Sequence, residues 1–281
     1  MIKLTLSKKI IKNKTIFITG GTGSFGRELT KVLLNSFQPK KIIIFSRDEF
    51  KQFEMSNELK KYEKKIRFFI GDIRDANRLN IGTRNVDILI HAAALKHLHI
   101  AEYNPFEFVK TNINGSENVI NACLINKVKK VIALSTDKAS SPINLYGATK
   151  LTADKLFVTA NYYKGIDNVD FSVVRYGNVF GSRGSVVPLL LNTLRNKKKI
   201  FKLTDDKMTR FTITLEEAVN FVLNSLEIMK GGEIFIPKIP SYRLNDLIKL
   251  FDNKIKIVKI GIRKGEKIHE EMISELDSDV C

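Results

Sequence analysis

Between Ser135 and Lys150 the chain carries a hydroxyl, a carboxylate, an amine, a phenol and a second amine: Ser135-Thr136-Asp137-Lys138, then Tyr146 and Lys150. Tyr146 and Lys150 stand at i and i+4, which on a helix puts both on one face with Cβ atoms about 5–6 Å apart. An ammonium ~4 Å from a phenol favours the phenolate by about 4 kcal/mol at an effective dielectric of ~20, or roughly three pKa units. The spacing therefore predicts a tyrosine brought from about 10 to about 7, able to take a proton from an alcohol. Alone, such a pair is an ordinary set of surface neighbours. The apolar run Val131-Ile132-Ala133-Leu134 ahead of it, and a glycine loop near the N-terminus, give it meaning.

That loop follows a short β-branched run, Thr15-Ile16-Phe17-Ile18, read as a buried strand. It reads Thr19-Gly20-Gly21-Thr22-Gly23-Ser24-Phe25-Gly26, and Leu29, Val32 and Leu33 then recur at helical spacing. In a strand–turn–helix, Gly20 permits the tight turn, Gly23 lets backbone approach a pyrophosphate, and Gly26 lets helix pack on strand. The helix N-terminus then offers free N–H groups to phosphates. The alternative is a merely structural turn.

Further strands are read at 41–45, 66–70, 86–90, 130–134 and 171–176, with helices at about 105–126 and 145–164 between the later ones. This alternation predicts an α/β fold, a doubly wound parallel sheet. Ser46, Arg47 and Asp48 fall at the end of the second strand. A basic residue there suits the 2′-phosphate of NADP, an acid the ribose of NAD. Ser46, Arg47 and Lys51 point to NADP; otherwise Arg47 is a loop arginine and Asp48 caps the next helix. Asp72, after the third strand, could reach an adenine amino group or cap a helix. His91-Ala92-Ala93-Ala94 ends the fourth strand, with small side chains that let the chain pass beside a cofactor. His91 reads as a satisfied core histidine. Lys96 and His97 follow at the carboxyl end, where ligands bind in open α/β sheets.

From Gly177 the character changes. A glycine-rich loop, 177–184, is expected to cross the cleft. Beyond it come a loop with Thr204, Asp205, Asp206, Met208 and Arg210, a helix at 216–229, and strands at 233–236 and 255–260. Residues 1–176 are expected to bind NADP and 177–281 mainly to form a smaller substrate-binding lobe, with some segments returning to the first. Arg210 and Arg263 suit a diphosphate, or are surface arginines.

The net charge of +17 is carried by lysines scattered as pairs and not interleaved with aromatics. They read as a solvated surface, with no nucleic-acid partner expected. The triplet Lys197-Lys198-Lys199 suits a helix C-terminus. Two cysteines, Cys123 and Cys281, make neither a disulfide framework nor a metal site. No apolar run approaches ~18 residues, and the N-terminus lacks a cleavage site. A reducing cytoplasm and no membrane partner are expected.

The motifs T-G-x-x-G-x-x-G and Y-x-x-x-K resemble those of the extended short-chain dehydrogenase/reductase superfamily. Its members bind NAD(P) on a Rossmann sheet and act mainly on nucleotide sugars. Longer stretches resemble the inverting UDP-N-acetylglucosamine 4,6-dehydratases: Ser46-Arg47-Asp48, the 91–97 segment, Ser135-Thr136-Asp137-Lys138-Ala139, Pro142 to Lys150, Met208-Thr209-Arg210-Phe211 and Gly265-Glu266-Lys267. The resemblance covers nearly the whole chain. Its most specific marks are Thr-Asp-Lys, where related hexose dehydratases carry Thr-Asp-Glu, and Tyr146, where membrane-bound relatives often carry Met. His99 and Lys264 stand where prolines are usual. Chains of this family usually run on past Gly-Glu-Lys-x-His-Glu, so this one reads as truncated.

The resemblance implies the first step of pseudaminic acid biosynthesis, which serves flagellin glycosylation. It implies a tightly bound NADP, regenerated each turnover, UDP-N-acetylglucosamine as substrate, and a homo-oligomer. Tyr146, helped by Lys150 and Thr136, would take the C4 hydroxyl proton. Lys138 would be the base at C5, unprotonated through burial or a cationic neighbour. Asp137 would be the acid at the C6 hydroxyl, kept neutral until used. Gly20, Thr22, Gly23, Ser24, Phe25, Gly26, Ser46, Arg47, Asp48, Lys51, Asp72, Ile73, Ala92, Lys96, Tyr146 and Lys150 would hold the cofactor. Lys96, Thr136, Asn178, Thr204, Met208, Arg210, Arg263 and Glu266 would face the UDP-sugar. Rival readings are a retaining dehydratase or a 5-epimerase acting on another UDP-HexNAc, a non-catalytic NADP-binding sensor, and a nucleic-acid binder.

Overall fold

The computed structural model describes residues 2–4, 8–166, 168–182, 184–196 and 200–278. The expectations for Arg183 in the cleft loop, for Lys197-Lys198-Lys199 and for Cys281 lie outside them.

Seven strands form one parallel sheet: β1 (Thr15–Thr19), β2 (Lys41–Ser46), β3 (Ile66–Ile70), β4 (Ile88–His91), β5 (Lys130–Leu134), β6 (Asp170–Val174) and β10 (Ile234–Phe235), in the order β10-β6-β5-β4-β1-β2-β3. The central strands β1 and β4 are buried at every position, as expected of a sheet covered on both faces. On one face α2 (Ser24–Ser36) packs beside α10 (Leu215–Ile228). On the other lie α7 (Gly115–Ile125) and α8 (Leu145–Tyr163), over Phe17, Val119, Val131, Phe157 and Phe171. This is the doubly wound α/β architecture expected. Strand order reverses between β1 and β4, which opens a crevice at their carboxyl ends.

Local signals account for the helix starts. Asp48 caps α3 (Glu49–Glu58), Asp75 caps α4 (Ala76–Gly82), Asn144 caps α8, and Thr214 with Glu217 forms a capping box on α10. Short helices α1 (Lys8–Ile11), α5 (Leu98–Tyr103) and α6 (Pro105–Phe108) fill the connections.

The long helix expected at 105–126 is not one regular helix. After α6 it opens into a π-helical stretch, Val109–Asn114, before α7. The cause is Asn112. Its amide donates to the Leu95 carbonyl and to Thr149 Oγ1, and accepts from the Leu95 N–H, all at 2.9–3.1 Å. The wider turn brings this side chain inward, where it ties the segment after β4 to α8.

A smaller body is built from β7 (Asn178–Val179), α9 (Val186–Arg195), β8 (Ile200–Leu203), β9 (Thr209–Ile213), β11 (Ser241–Arg243), α11 (Leu244–Phe251) and β12 (Lys256–Lys259), while α12 (Glu275–Ser278) returns to the large sheet through Asp277 and Arg175. The smaller body has its own core of Leu190, Phe201, Leu203, Met208, Leu244, Ile248 and Ile255. The chain visits this body, returns through α10 and β10 to the large sheet, and leaves again. No helix among the described residues is long and apolar enough to cross a membrane.

Candidate active site

The polar cluster is set by the end of β5. Ser135 N–H donates to the Val174 carbonyl at 2.7 Å and Asp137 N–H to the Tyr176 carbonyl at 3.1 Å, so the chain stays laced to the strand beside it. It then turns through a single 3₁₀ turn, Asp137–Ala139, with Thr136 as its cap. Gly147 of α8 packs directly on the Lys138 carbonyl, an approach that a Cβ would forbid. Tyr146 and Lys150 thereby come to the same place as the turn.

One bonded chain results. Tyr146 lies beside Thr136, close enough for the threonine to act on its phenol. Thr136 Oγ1 donates to Asp137 Oδ1 at 2.9 Å, and Lys138 Nζ donates to the same oxygen at 2.9 Å. Lys138 Nζ also reaches Asn178 Oδ1 at 3.3 Å. Asp137 is fully buried, and its Oδ2 has no protein partner among the described residues. That buried oxygen keeps its hydrogen-bonding capacity unspent.

Two sequence expectations are corrected here. Tyr146 is not held down by Lys150. Burial pushes the phenol above its ordinary value, Thr136 beside it offsets part of this, and the Asp137, Asp154 and Glu270 carboxylates push it further up. The reason is geometric: Lys150 Nζ donates to the Leu134 carbonyl at 2.6 Å, so its charge is spent on the backbone. Burial also lowers the amine of Lys150, with Asp154 acting against this. Of the two expectations for Lys138, burial or a cationic neighbour, the first holds: the side chain is largely buried, but no cation adjoins it among the described residues. Its partners are two carboxylates, Asp137 and Glu270, and the Asn178 amide oxygen.

Three participants were not singled out in the sequence. Asp154 follows Tyr146 and Lys150 on the buried face of α8 and accepts from Ser135 Oγ at 2.7 Å. A carboxylate continuing that i, i+4 series was a readable signal. Arg175, fully buried, pairs with Asp154 at 3.4 Å and Asp277 at 2.8 Å. Glu270 arrives from a distant segment: it closes the Gly-Glu-Lys-x-His-Glu motif, but nothing local ties it to Lys138.

The glycine loop fits a dinucleotide. Gly20 has a φ of +64°, and a Cβ there would lie 2.9 Å from the backbone of Ala92 and Ala93. A Cβ at Gly26 would lie 2.5 Å from Gly21 Cα. Gly23 caps α2 without any side-chain acceptor, so the first N–H groups of that helix are left to a ligand. Thr22 is buried, and Ser24 and Phe25 begin the helix. The carboxyl ends of β1, β2, β3 and β4 lie in register, which gathers this loop with Ser46, Arg47, Asp72 and Ala92. Ser46 is buried and accepts from Gln52 Nε2 at 3.1 Å; Arg47 is half exposed, 3.4 Å from Asp72. Asp48 caps α3 and pairs with Lys51, its alternative sequence reading. Asp72 caps nothing: burial works against its charge, yet hydrogen bonds from Arg74 and the charges of Arg47 and Arg74 hold it below the usual carboxylate value. The Ile73 side chain is in the core against Gly115. Lys96 is exposed on the segment after β4.

Among the expected sugar-nucleotide residues, Thr204, Glu266 and Arg263 meet. Thr204 Oγ1 donates to Glu266 Oε2 at 3.0 Å, and Arg263 lies 3.9 Å from Glu266. Met208 is buried in the smaller core, and Arg210 bonds its sulfur and the Ile268 carbonyl. Asn178 alone of this group touches the catalytic cluster.

His91 is a satisfied core residue. Thr19 Oγ1 accepts from the Ala92 N–H at 3.1 Å and so gives its own proton to His91 Nδ1, 2.8 Å away. Burial, with a smaller contribution from the Lys150 charge, lowers the imidazole to about 3. The unfolded chain takes up this proton near pH 6.5 and the folded one only near pH 3, so the stability this group protects is intact above pH 6.5 and lost as pH falls through that window. At pH 5 the loss is about 2 kcal/mol. Thermal melts at pH 7 and pH 5 should show a fall that is smaller by that amount in His91→Asn; equal falls in both proteins would refute this.

A glycine cradle at the switch point of a parallel sheet, with Thr, Tyr and Lys gathered beside it, defines a Rossmann-fold protein of the short-chain dehydrogenase/reductase type. The chain belongs to the polysaccharide biosynthesis protein family, whose description matches residues 16–281. It is 57% identical over 269 residues to a Campylobacter jejuni UDP-N-acetylglucosamine 4,6-dehydratase (inverting), covering 96% of this chain and 80% of that one. It is 44% identical over 269 residues to a Rickettsia bellii UDP-glucose 4-epimerase, covering 93% and 78%. Among solved structures, Pen from Bacillus thuringiensis superposes with a TM-score of 0.89 at 44% identity, over 94% of this chain and 84% of that one.

Proposed function

We propose that the protein removes water from UDP-N-acetylglucosamine across C5–C6 and inverts C5, giving a UDP-4-keto-6-deoxy-HexNAc, with NADP as its resident cofactor. The observation that carries this is the bonded chain Thr136–Asp137–Lys138, with Tyr146 beside it at the end of the sheet that carries the dinucleotide cradle. The similarity to the Campylobacter enzyme supports the substrate and the inversion. A 4-epimerase needs proton transfer at O4 alone; an acid–amine pair adjoining that tyrosine has work to do only where C5 and C6 also react.

When bound, the dinucleotide would supply reversible hydride chemistry, accepting hydride from C4, which becomes a ketone, and returning it to C6, so that the overall dehydration needs no outside oxidant or reductant. The residues do the proton work. Thr136 and Tyr146 hold the C4 hydroxyl, and Tyr146 takes its proton once Lys150 turns from the Leu134 carbonyl to the phenol. Lys138 first passes a proton to Asp137 along their 2.9 Å hydrogen bond, leaving a neutral amine beside a carboxylic acid. The ketone acidifies C5–H, and Lys138 Nζ takes that proton. The Asp137 carboxyl gives its proton to the C6 hydroxyl, which leaves as water, and C5 is reprotonated from the other face. Ser46, Arg47 and Lys51 at the end of β2 favour NADP over NAD, Arg210 and Arg263 engage the diphosphate, and Glu266 faces the UDP-sugar. We assign the protein to the first step of pseudaminic acid biosynthesis, in the cytoplasm and as a homo-oligomer, on the strength of the motif resemblance.

Incubation with UDP-N-acetylglucosamine in D₂O should give a product lighter by one water, deuterated at C5, with the L configuration by NMR. Heat-released cofactor should be NADP by mass spectrometry. A 4-epimerised sugar of unchanged mass, or retained C5 configuration, would overturn the assignment.

A further inference from the structure

The geometry points to Glu270 as a positioning residue that aims the Lys138 amine, a role that rests on the function proposed above. Lysine carries four rotatable bonds and about 2 kcal/mol of rotamer entropy, so an amine that must meet one carbon has to be held. Asp137, its sequence neighbour, restrains it from one side only. Glu270 Oε1 lies 3.3 Å from Nζ, and Asn178 Oδ1 lies at the same distance. Asp137 and Asn178 accept hydrogen bonds from the amine and the Glu270 carboxylate stands at ion-pair distance, so three separate segments hold it in place.

Packing does not account for Glu270. It is 8% exposed, and its Oε2 is buried without a partner. Burying a carboxylate this way costs free energy that an apolar residue would not. Lys138 is the ion-pair partner that offsets it.

The backbone that carries Glu270 is itself fixed on two sides. Toward the sheet, Asn144 Nδ2 donates to the Gly265 carbonyl at 2.8 Å and Lys267 Nζ to the Ser140 carbonyl at 3.0 Å. Toward the smaller body, the Thr209 N–H and Arg210 both donate to the Ile268 carbonyl, at 3.0 and 3.1 Å. The carboxylate is therefore delivered by a strap bonded to both bodies, and the place of the amine depends on their relation.

The test uses Glu270→Gln, of equal shape, and Glu270→Asp, which keeps the charge, in the full chain. With UDP-N-acetylglucosamine in D₂O, Glu270→Gln should slow C5 exchange about 10²-fold, the scale of an ångström of misplacement. KM should stay within twofold, and Glu270→Asp should recover part of the rate. A second reading needs no substrate: in ¹³C-methylated protein, the lysine signal missing from Lys138→Arg should move in Glu270→Gln. Normal exchange in Glu270→Gln overturns the inference, as does an unmoved Lys138 signal. Wild-type protein that is inert toward this sugar while the signal still moves would sink the proposed function and leave the hold on the amine standing. If Glu270→Gln does not fold, Glu270→Asp carries both measurements, and a wild-type rate with an unmoved signal refutes the idea.

Discussion

Lys138→Ala should abolish C5 deuterium exchange and dehydration together, by about 10³-fold or more. Losing a positioned general base alone removes about 10²–10⁴-fold. Here the amine is also the cation between Asp137 and Glu270, both buried. Its removal leaves two carboxylates facing one site, and truncating one side of a buried ion pair costs about 3–5 kcal/mol. The variant should therefore melt lower as well as stop working. Lys138→Met, which fills the space, separates the effects: it should recover part of the stability and none of the exchange. A Lys138→Ala protein that dehydrates at near-normal rate would remove Lys138 from the role of base.

Replacing Arg175 should have the largest effect on stability. Its side chain is fully buried, with Asp154 and Asp277 as ion-pair partners and the Met272 carbonyl at 3.2 Å. Arg175→Met keeps most of the volume and removes the charge. Asp154, whose carboxyl burial already raises against the pull of Lys150, Ser135 and Arg175, would lose one of its counter-charges. The expected cost is about 3–5 kcal/mol, or roughly 6–20 °C in melting temperature at about 2–4 °C per kcal/mol. Limited proteolysis should then cut first at 272–278. A melting temperature within ~2 °C of wild type, with 272–278 still protected, would show that this pairing contributes nothing net.

Much of this was legible because a parallel sheet leaves a simple trace. β3 and β5 match the runs read at 66–70 and 130–134 residue for residue: β5 because 131–133 are buried inside the sheet, and edge strand β3 because Ile66, Phe68 and Phe69 still mark it although Arg67 and Ile70 are exposed. The glycine loop and the i, i+4 pair on α8 are local, and so they were readable. What depended on tertiary partners was not. The π-helical stretch exists because Asn112 finds Leu95 and Thr149. The spacing of Tyr146 and Lys150 says they share a face, but not that the amine turns to the Leu134 carbonyl or that three carboxylates surround the phenol. Glu270 closes a motif visible in the sequence, but its pairing with Lys138 is tertiary and left no trace there.

The pairing of Arg175 with Asp277 also orders events in time. Asp277 follows β10, the seventh strand, so a polypeptide leaving the ribosome can complete the whole sheet before that carboxylate exists. Until it does, a guanidinium sits in the interior with half its counter-charge missing, and Lys138 lacks Glu270 for the same reason. The nascent protein thus passes through a stage that looks finished from its sheet yet is electrically incomplete at its centre, and translation of one late stretch completes both.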